Sequence, residues 1–187
     1  MADYTSIANM AQELLRRLSD ALVPDLVGSR DLIGLCAPED HGDYTVGIWL
    51  YDVRENTDVQ LHDMISAGQN AQRYPSAYLT LRFMITLFLQ SDLKYRSAQE
   101  QQILGRIIQA LRDQATVEAE EVLTSGEATG PDIRIRMMNL SMEEKIRLWT
   151  VPNTAYRPSL FYEIGPVEIQ SERKRDVKRV RDIRYRL

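Results

Sequence analysis

The sequence is short of the residues on which most disulfides, metal sites and catalytic centres depend. Its 187 residues include one cysteine, Cys36, and two histidines, His41 and His62. A single cysteine excludes an intrachain disulfide, so nothing indicates an oxidising compartment. Neither histidine has a second histidine or a cysteine at ligand spacing, so no metal site is predicted. We interpret both histidines as solvated loop residues and Cys36 as a small buried hydrophobe.

Motifs for nucleophilic and nucleotide chemistry are also missing. No G-x-S-x-G sequence is present, so a serine nucleophile on a sharp strand-to-helix turn is not indicated. Gly28 and Gly34 lie six residues apart but lack the Gly-Lys-Ser/Thr ending that holds phosphates. Two clusters of glutamates occur. The cluster at 118–121 fits a solvated face, and the cluster at 143–144 fits the first turn of a helix. We therefore predict no catalytic residue, no cofactor and no metal, and we expect a protein that is not an enzyme.

Long apolar runs are absent as well. The most apolar stretch, residues 79–89, is interrupted by Arg82 and Thr86, and it is too short to cross a bilayer as a helix. The first residues include Asp3 but no basic side chain and no apolar core, so no secretory signal is predicted. We expect assembly in the cytoplasm, as part of a particle that is released or membrane-attached, without direct insertion into a membrane.

What the sequence does contain is typical of one compact domain. Hydrophobic residues make up 44% and charged residues 27% of the chain, both ordinary for a globular protein. Apolar residues at three- and four-residue steps predict an amphipathic helix over residues 7–22, which Pro24 ends. Two capping-box patterns, Ser97–Glu100 and Ser141–Glu144, predict two more helices. The second of these is expected to bury Ile146 and Trp149.

Five segments read as strands: 31–36, 44–53, 78–89, 133–138 and 159–169. The segment 78–89 is nearly all apolar, which favours a central strand buried on both faces. The Gly165-Pro166 break in the last strand predicts a bulge or an edge position, because proline cannot donate to a ladder. Residues 54–76 and 112–131 read as polar surface connections and candidate contact loops. The predicted fold is a single α+β domain over residues 1–170, with a mixed or antiparallel sheet flanked by helices.

The remaining residues, 171–187, form a basic C-terminal tail. They carry eight basic and three acidic side chains, a net charge of +5, so the rest of the chain carries −9 of the total −4. Such a tail could be a solvated terminus, a phosphate-binding arm for nucleic acid or anionic lipid, or a docking arm for an acidic protein surface. The predicted protein-interface residues are Arg173, Lys174, Arg175, Lys178, Arg179, Arg181, Arg184 and Arg186.

Two features of the tail favour a protein contact over nucleic acid. Tyr185 is its one aromatic residue, which makes it a poor stacking platform for bases. Ile183, Tyr185 and Leu187 alternate with charged residues, as in a strand that adds to a sheet edge. A body and a tail of opposite charge could also dock head to tail with copies of the same chain.

Two stretches carry a family resemblance. One is the opening Ala2–Ala8 with the Leu14-Leu15 helix that follows, and the other runs from Met142 to Trp149 and from Tyr156 to Ile169. Together they resemble the cap or tail-terminator family of contractile injection systems, relatives of myophage tail terminators, over residues 2–170. The tail after Ser171 is outside this resemblance.

The resemblance implies a non-enzymatic protein and a mixed sheet flanked by helices. It further implies a homohexameric ring at the baseplate-distal end, which ends tube and sheath growth and holds the last sheath layer. The implied partners are other copies of the chain, the sheath protein and the inner tube protein, with no nucleic acid. Alternatives are a phage tail-completion protein that joins tail to head, a binding module acting through the basic tail, and an enzyme whose site is assembled from scattered loop residues.

Overall fold

A computed structural model describes residues 4–59, 63–66, 71–90, 92–123, 130–149 and 154–176. The described residues form four α-helices: α1 (Ser6–Leu22), α2 (Leu93–Asp113), α3 (Ala119–Val122) and α4 (Met142–Leu148). They also form nine strands: β1 (Ile33–Leu35), β2 (Val46–Glu55), β3 (Ile65–Ser66), β4 (Ala71–Arg73), β5 (Ala77–Leu87), β6 (Thr116–Val117), β7 (Ile133–Met137), β8 (Ser159–Ile169) and β9 (Lys174–Asp176).

Six of the strands form the main sheet, in the order β1-β2-β5-β8-β7-β6. β1 pairs with β2 in parallel, and the other pairs are antiparallel. The three remaining strands form a small sheet in the order β3-β4-β9. The predicted α+β class, with a mixed sheet and helices, is confirmed.

The hydrophobic core lies between one face of the main sheet and the helices α1 and α2. Apolar residues of α1 recur at three- and four-residue steps, as the sequence predicted, and Met10, Leu14 and Leu18 are fully buried. They belong to the same core cluster as Phe83 and Ile85 of β5, and packing of this apolar face is the main support of α1. The helix ends at Leu22, just before Pro24.

The strand β5 is central, as predicted. It lies between β2 and β8, and its second half is buried on both faces, with Phe83 toward the core and Met84 toward the opposite face. β8 is also an internal strand, so an edge position is wrong for it. The predicted bulge is confirmed, because the β5–β8 register shifts between Leu79 and Leu81 beside Gly165.

Three predictions about helices and loops are wrong. α2 begins at Leu93 and not at Ser97, because the Asp92 side chain accepts a hydrogen bond from the Lys94 N–H and caps the helix earlier. Residues 112–131 are not simply a loop, since they contain β6 and α3. The segment 54–76 is likewise not one long connection, since it contains β3 and β4; His62 and residues 124–129 lie outside the described residues.

The predicted capping box of α4 is confirmed, with reciprocal bonds between Ser141 and Glu144. The burial predicted for this helix is wrong for Ile146, which is 53% exposed, while Trp149 is half-buried. Trp149 donates its indole N–H to the Thr154 carbonyl and packs edge-on against Tyr156. These contacts join the C-terminal end of α4 to the loop that follows it.

None of the described helices is long and apolar enough to cross a membrane.

Candidate interaction surfaces

The first part of the basic tail belongs to the small sheet. β9 pairs antiparallel with β4, with Arg73 opposite Lys174 and Gln72 opposite Arg175. β9 is an edge strand, and Arg173, Lys174 and Arg175 are all exposed. The other five predicted interface residues, Lys178, Arg179, Arg181, Arg184 and Arg186, lie outside the described residues, as do Ile183, Tyr185 and Leu187.

Arg173 is held in place just before β9. Its guanidinium carbon lies 4.3 Å from the centre of the Tyr74 ring, within the range of a cation–π contact. Its carbonyl accepts the Tyr74 N–H at 3.0 Å, and its own N–H reaches the Ser171 hydroxyl at 3.2 Å. None of Arg173, Lys174 and Arg175 forms an ion pair with another residue in the described part of the chain.

Buried polar side chains join the small sheet to the end of β8. Gln170, 5% exposed, accepts a hydrogen bond from Arg73 Nη1 at 2.6 Å. Glu168, 3% exposed, accepts one from the Ser76 hydroxyl at 2.6 Å. Buried polar groups that are bonded in this way fix one arrangement of the segments that carry them. The basic strand β9 is therefore positioned by the main sheet.

A row of alternating charges crosses the face of the main sheet opposite the helices. Arg82 lies between Asp52 and Glu163 on the neighbouring strands, at 3.5 and 3.1 Å, and Arg136 lies 3.8 Å from Glu163. Cross-strand pairs of opposite charge stabilise a sheet modestly. The row shows that this half of the face is adapted to water or to a polar partner. Sequence reasoning missed it, although the alternation of Arg134 and Arg136 in β7 was a signal.

The other half of this face is apolar and lies beside α4. Met84 and Phe161 are almost fully buried there, and Tyr51 packs edge-on against Phe161 with its hydroxyl 3.7 Å from the Met138 sulfur. Burial raises the pKa of Tyr51. The edge of this region is an open groove of about 380 Å³ between β2 and α4. Its lining mixes arginine, carboxylate and apolar side chains, without a convergent set of groups suited to catalysis.

Acidic residues precede and follow the short edge strand β1 in the sequence. Residues 31–43 contain Asp31, Glu39, Asp40 and Asp43 and no lysine or arginine, and all four carboxylates are exposed. Leu35 within this segment is 38% exposed. The nearby Arg30 is engaged by Asp20, with Nη2 and Oδ1 2.5 Å apart.

Two of the residues considered for catalysis and metal binding, His41 and Cys36, are partly buried. The His41 ring stacks on Phe88 at 4.0 Å, so it is not a freely solvated loop side chain. Cys36 is only partly buried, and burial raises its pKa, which disfavours the reactive thiolate. Within the ranges that the structure describes, no three His, Cys, Asp or Glu side chains are grouped as a metal site requires.

Residues 10–182 match the Pvc16 N-terminal domain family. The chain belongs to this family. That membership confirms the resemblance to the cap and tail-terminator proteins of contractile injection systems. No curated protein matches the sequence.

Two solved structures share the fold. One is a cryo-EM structure of the PVC sheath/tube terminator of an extracellular contractile injection system in the extended state, with a TM-score of 0.67 and 17% identity. The other is the tube-terminating cap of the anti-feeding prophage AFP, with a TM-score of 0.62 and 16% identity. Each alignment covers 97% of this chain but only 62% and 60%, respectively, of the solved chain. The chain thus spans about three fifths of the terminators that it matches.

Proposed function

We propose that this chain is a structural subunit of the cap that terminates the tube and sheath of a contractile injection system. The observation that carries the proposal is the fold, which is similar over 97% of the chain to that of two cap or terminator proteins. The family match over residues 10–182 supports it. The chain's own chemistry agrees with an assembly role, since its distinctive features are charged and apolar surfaces.

In this proposal the chain acts without catalysis and without a cofactor. Copies form a ring, a homohexamer, at the baseplate-distal end, where they contact the inner tube protein and hold the last layer of the sheath protein. A ring requires two unlike surfaces on each subunit and a contact that closes by rotation. Assembly takes place in the cytoplasm, before any release or membrane attachment of the particle.

The proposed role is tested by deleting the gene and examining tail-like particles by negative-stain microscopy. We expect missing particles, over-long tubes, or sheaths that are absent or fall away at the baseplate-distal end. Restoring the gene on a plasmid is the control and should return particles of normal length. Particles of normal length with firmly held sheaths in the deletion strain would contradict the proposal.

The basic tail, residues 171–187, is proposed to act as a separate contact segment for an acidic surface of a neighbouring subunit or of the sheath. Reversing two of its charges, Arg179→Glu with Arg181→Glu, should weaken assembly, and more strongly at low salt because screening is weaker there. The matched control reverses Arg112, an exposed residue of α2. If tail reversal leaves the yield of capped particles unchanged at every salt concentration, the tail is incidental.

A further inference from the structure

Two oppositely charged surfaces lie at opposite ends of the main sheet. The first, the basic edge, consists of Arg173, Lys174 and Arg175. The second, the acidic end, consists of the four exposed carboxylates of residues 31–43 around Leu35. We infer that the basic edge of one copy docks on the acidic end of the next copy, which makes the contact between subunits head to tail.

The strand register places these two surfaces far apart in one molecule. β1 pairs with the first residues of β2, and those residues are level with Leu87 of β5 and the start of β8 at Ser159. The basic edge follows the other end of β8, after Ile169. The eleven residues of β8 separate the two ends by about 30 Å at the usual rise of a strand.

This separation excludes pairing of the two surfaces within one molecule. The described basic residues are fixed by the β4–β9 ladder and by the Arg173–Tyr74 contact, so they cannot reach across the sheet. The exposed Glu172 and Asp176 flank these basic residues, but neither forms an ion pair with them in the described part of the chain. Charged side chains without an ion-pair partner can be neutralised by another molecule. The acidic end of a second copy offers four carboxylates for three basic side chains.

The acidic end is a better partner for the basic edge than α3, another acidic segment of the chain. Glu120 and Glu121 of α3 are exposed, but Arg16 of α1 interacts electrostatically with Glu121. The acidic end offers four exposed carboxylates against these two, although Arg157 lines one pocket with Glu39 and Arg30 lines another with Asp31. The acidic end also offers apolar area at Leu35, which is 38% exposed, as the centre of a protein interface requires.

The contact has a consequence for symmetry. Since its two surfaces are different patches of the chain, the interface is heterologous, and repetition produces a closed ring or an open filament, not a two-fold dimer. The inference rests on the proposed function, because a cap of several copies is the setting in which such a contact repeats.

Cross-linking in assembled particles tests the contact directly. The variant carries Leu35→Cys and Asp176→Cys on a Cys36→Ala background, and purified particles are treated with a short bismaleimide. We expect a ladder of covalently linked copies on a denaturing gel. The matched control pairs Leu35→Cys with Asp113→Cys, an exposed position at the end of α2, and should give no ladder. Capped particles of normal length without a ladder would overturn the inference and leave the proposed function standing.

Charge reversal followed by rescue is the second test. Addition of Lys174→Glu and Arg175→Glu to the Leu35→Cys, Asp176→Cys variant should lower the cross-link yield about tenfold or more, because like charges then face each other. Further addition of Glu39→Lys and Asp40→Lys should restore the yield, since opposite charges meet again. Reversal at Glu120 and Glu121 of α3 should not rescue it. Rescue by the α3 reversal, or none by the acidic-end reversal, would show that another surface is the partner.

Discussion

At the scale of single residues, Arg17 is a buried side chain that connects distant parts of the fold. It is only 8% exposed, and its Nε donates to the Glu13 carboxylate at 2.6 Å. Its Nη1 donates to the carbonyls of Gln114 and Thr116 at 2.5 and 3.1 Å. These bonds tie α1 to the C-terminal end of α2 and to the edge strand β6. The helical pattern predicted α1 but could not show that one of its two adjacent arginines is buried.

We expect Arg17→Met to lower the free energy of unfolding by about 3 kcal/mol, because it leaves a carboxylate and two carbonyls without their buried donor. Arg16→Met is the matched control. Arg16 binds the same Glu13 but is 56% exposed, so its loss should cost about 0.5 kcal/mol or less. Urea denaturation of the two variants measures both values. Equal losses would contradict the role of Arg17.

Glu13 should give stability a dependence on pH. Its burial alone would raise its pKa, but hydrogen bonds from Arg16 and Arg17 outweigh that effect and lower the pKa. A carboxyl group with a lowered folded-state pKa stabilises the fold above its unfolded pKa, about 4.3, and loses that contribution as the pH falls through the folded value.

The stability difference between the wild type and Glu13→Gln should therefore be largest near neutral pH and shrink below pH of about 4. Denaturation at a series of pH values measures it. The control is Glu120→Gln on the exposed surface of α3, which should change stability little at any pH. A Glu13 difference that stays constant from neutral pH to below 4 would refute this assignment.

At the scale of elements, the two capping-box patterns show both the strength and the limit of sequence reasoning. Ser141–Glu144 begins α4, as predicted. Ser97–Glu100 lies inside α2, because Asp92 caps the helix first. The two four-residue patterns are alike. They differ in the residues before them, because only Ser97–Glu100 is preceded by an earlier N-cap. The strands β3, β4 and β6 were missed for a related reason. They are two or three residues long and become strands through pairing with distant segments.

Substitution of the three candidate N-cap residues should show which of them cap a helix. Asp92→Ala and Ser141→Ala should each destabilise their own helix by about 1 kcal/mol. Ser97→Ala should be neutral or slightly stabilising, because alanine is the better residue in a helix interior. Hydrogen exchange of the amides in α2 and α4 measures these effects helix by helix. Faster exchange at the start of α2 in Ser97→Ala, without such a change in Asp92→Ala, would contradict the observed helix start.

At the scale of the whole molecule, the buried apolar contacts that stabilise the fold lie between the main sheet and the helices. Most core residues come from α1, α2 and the main-sheet strands, whereas none of the residues in β3, β4 or β9 is buried. The sequence predicted this core well, since its residues follow strong helical and strand patterns. It could not predict the small sheet, because polar strands carry no such pattern.

We expect the small sheet to open more easily than the main sheet. Amides of β4 should exchange with solvent well before those of β5 and β8, since few apolar contacts oppose local opening. Native-state hydrogen exchange in increasing urea measures the two free energies, with β2 as the internal reference for the main sheet. If β4 and β5 exchange with the same free energy, the two sheets unfold as one unit.

The position of β8 in the sheet determines when the chain can fold during its synthesis. β8 lies between β5 and β7 but is encoded after both of them. Until residues 159–169 leave the ribosome, β5 has no hydrogen-bonded neighbour on one side, and its apolar second half forms an open sheet edge. Such an edge pairs readily with other chains. Nascent chains on neighbouring ribosomes of one messenger RNA therefore need protection from pairing with each other, by a chaperone or by spacing. A messenger RNA that is cut short before β8 yields a product that aggregates.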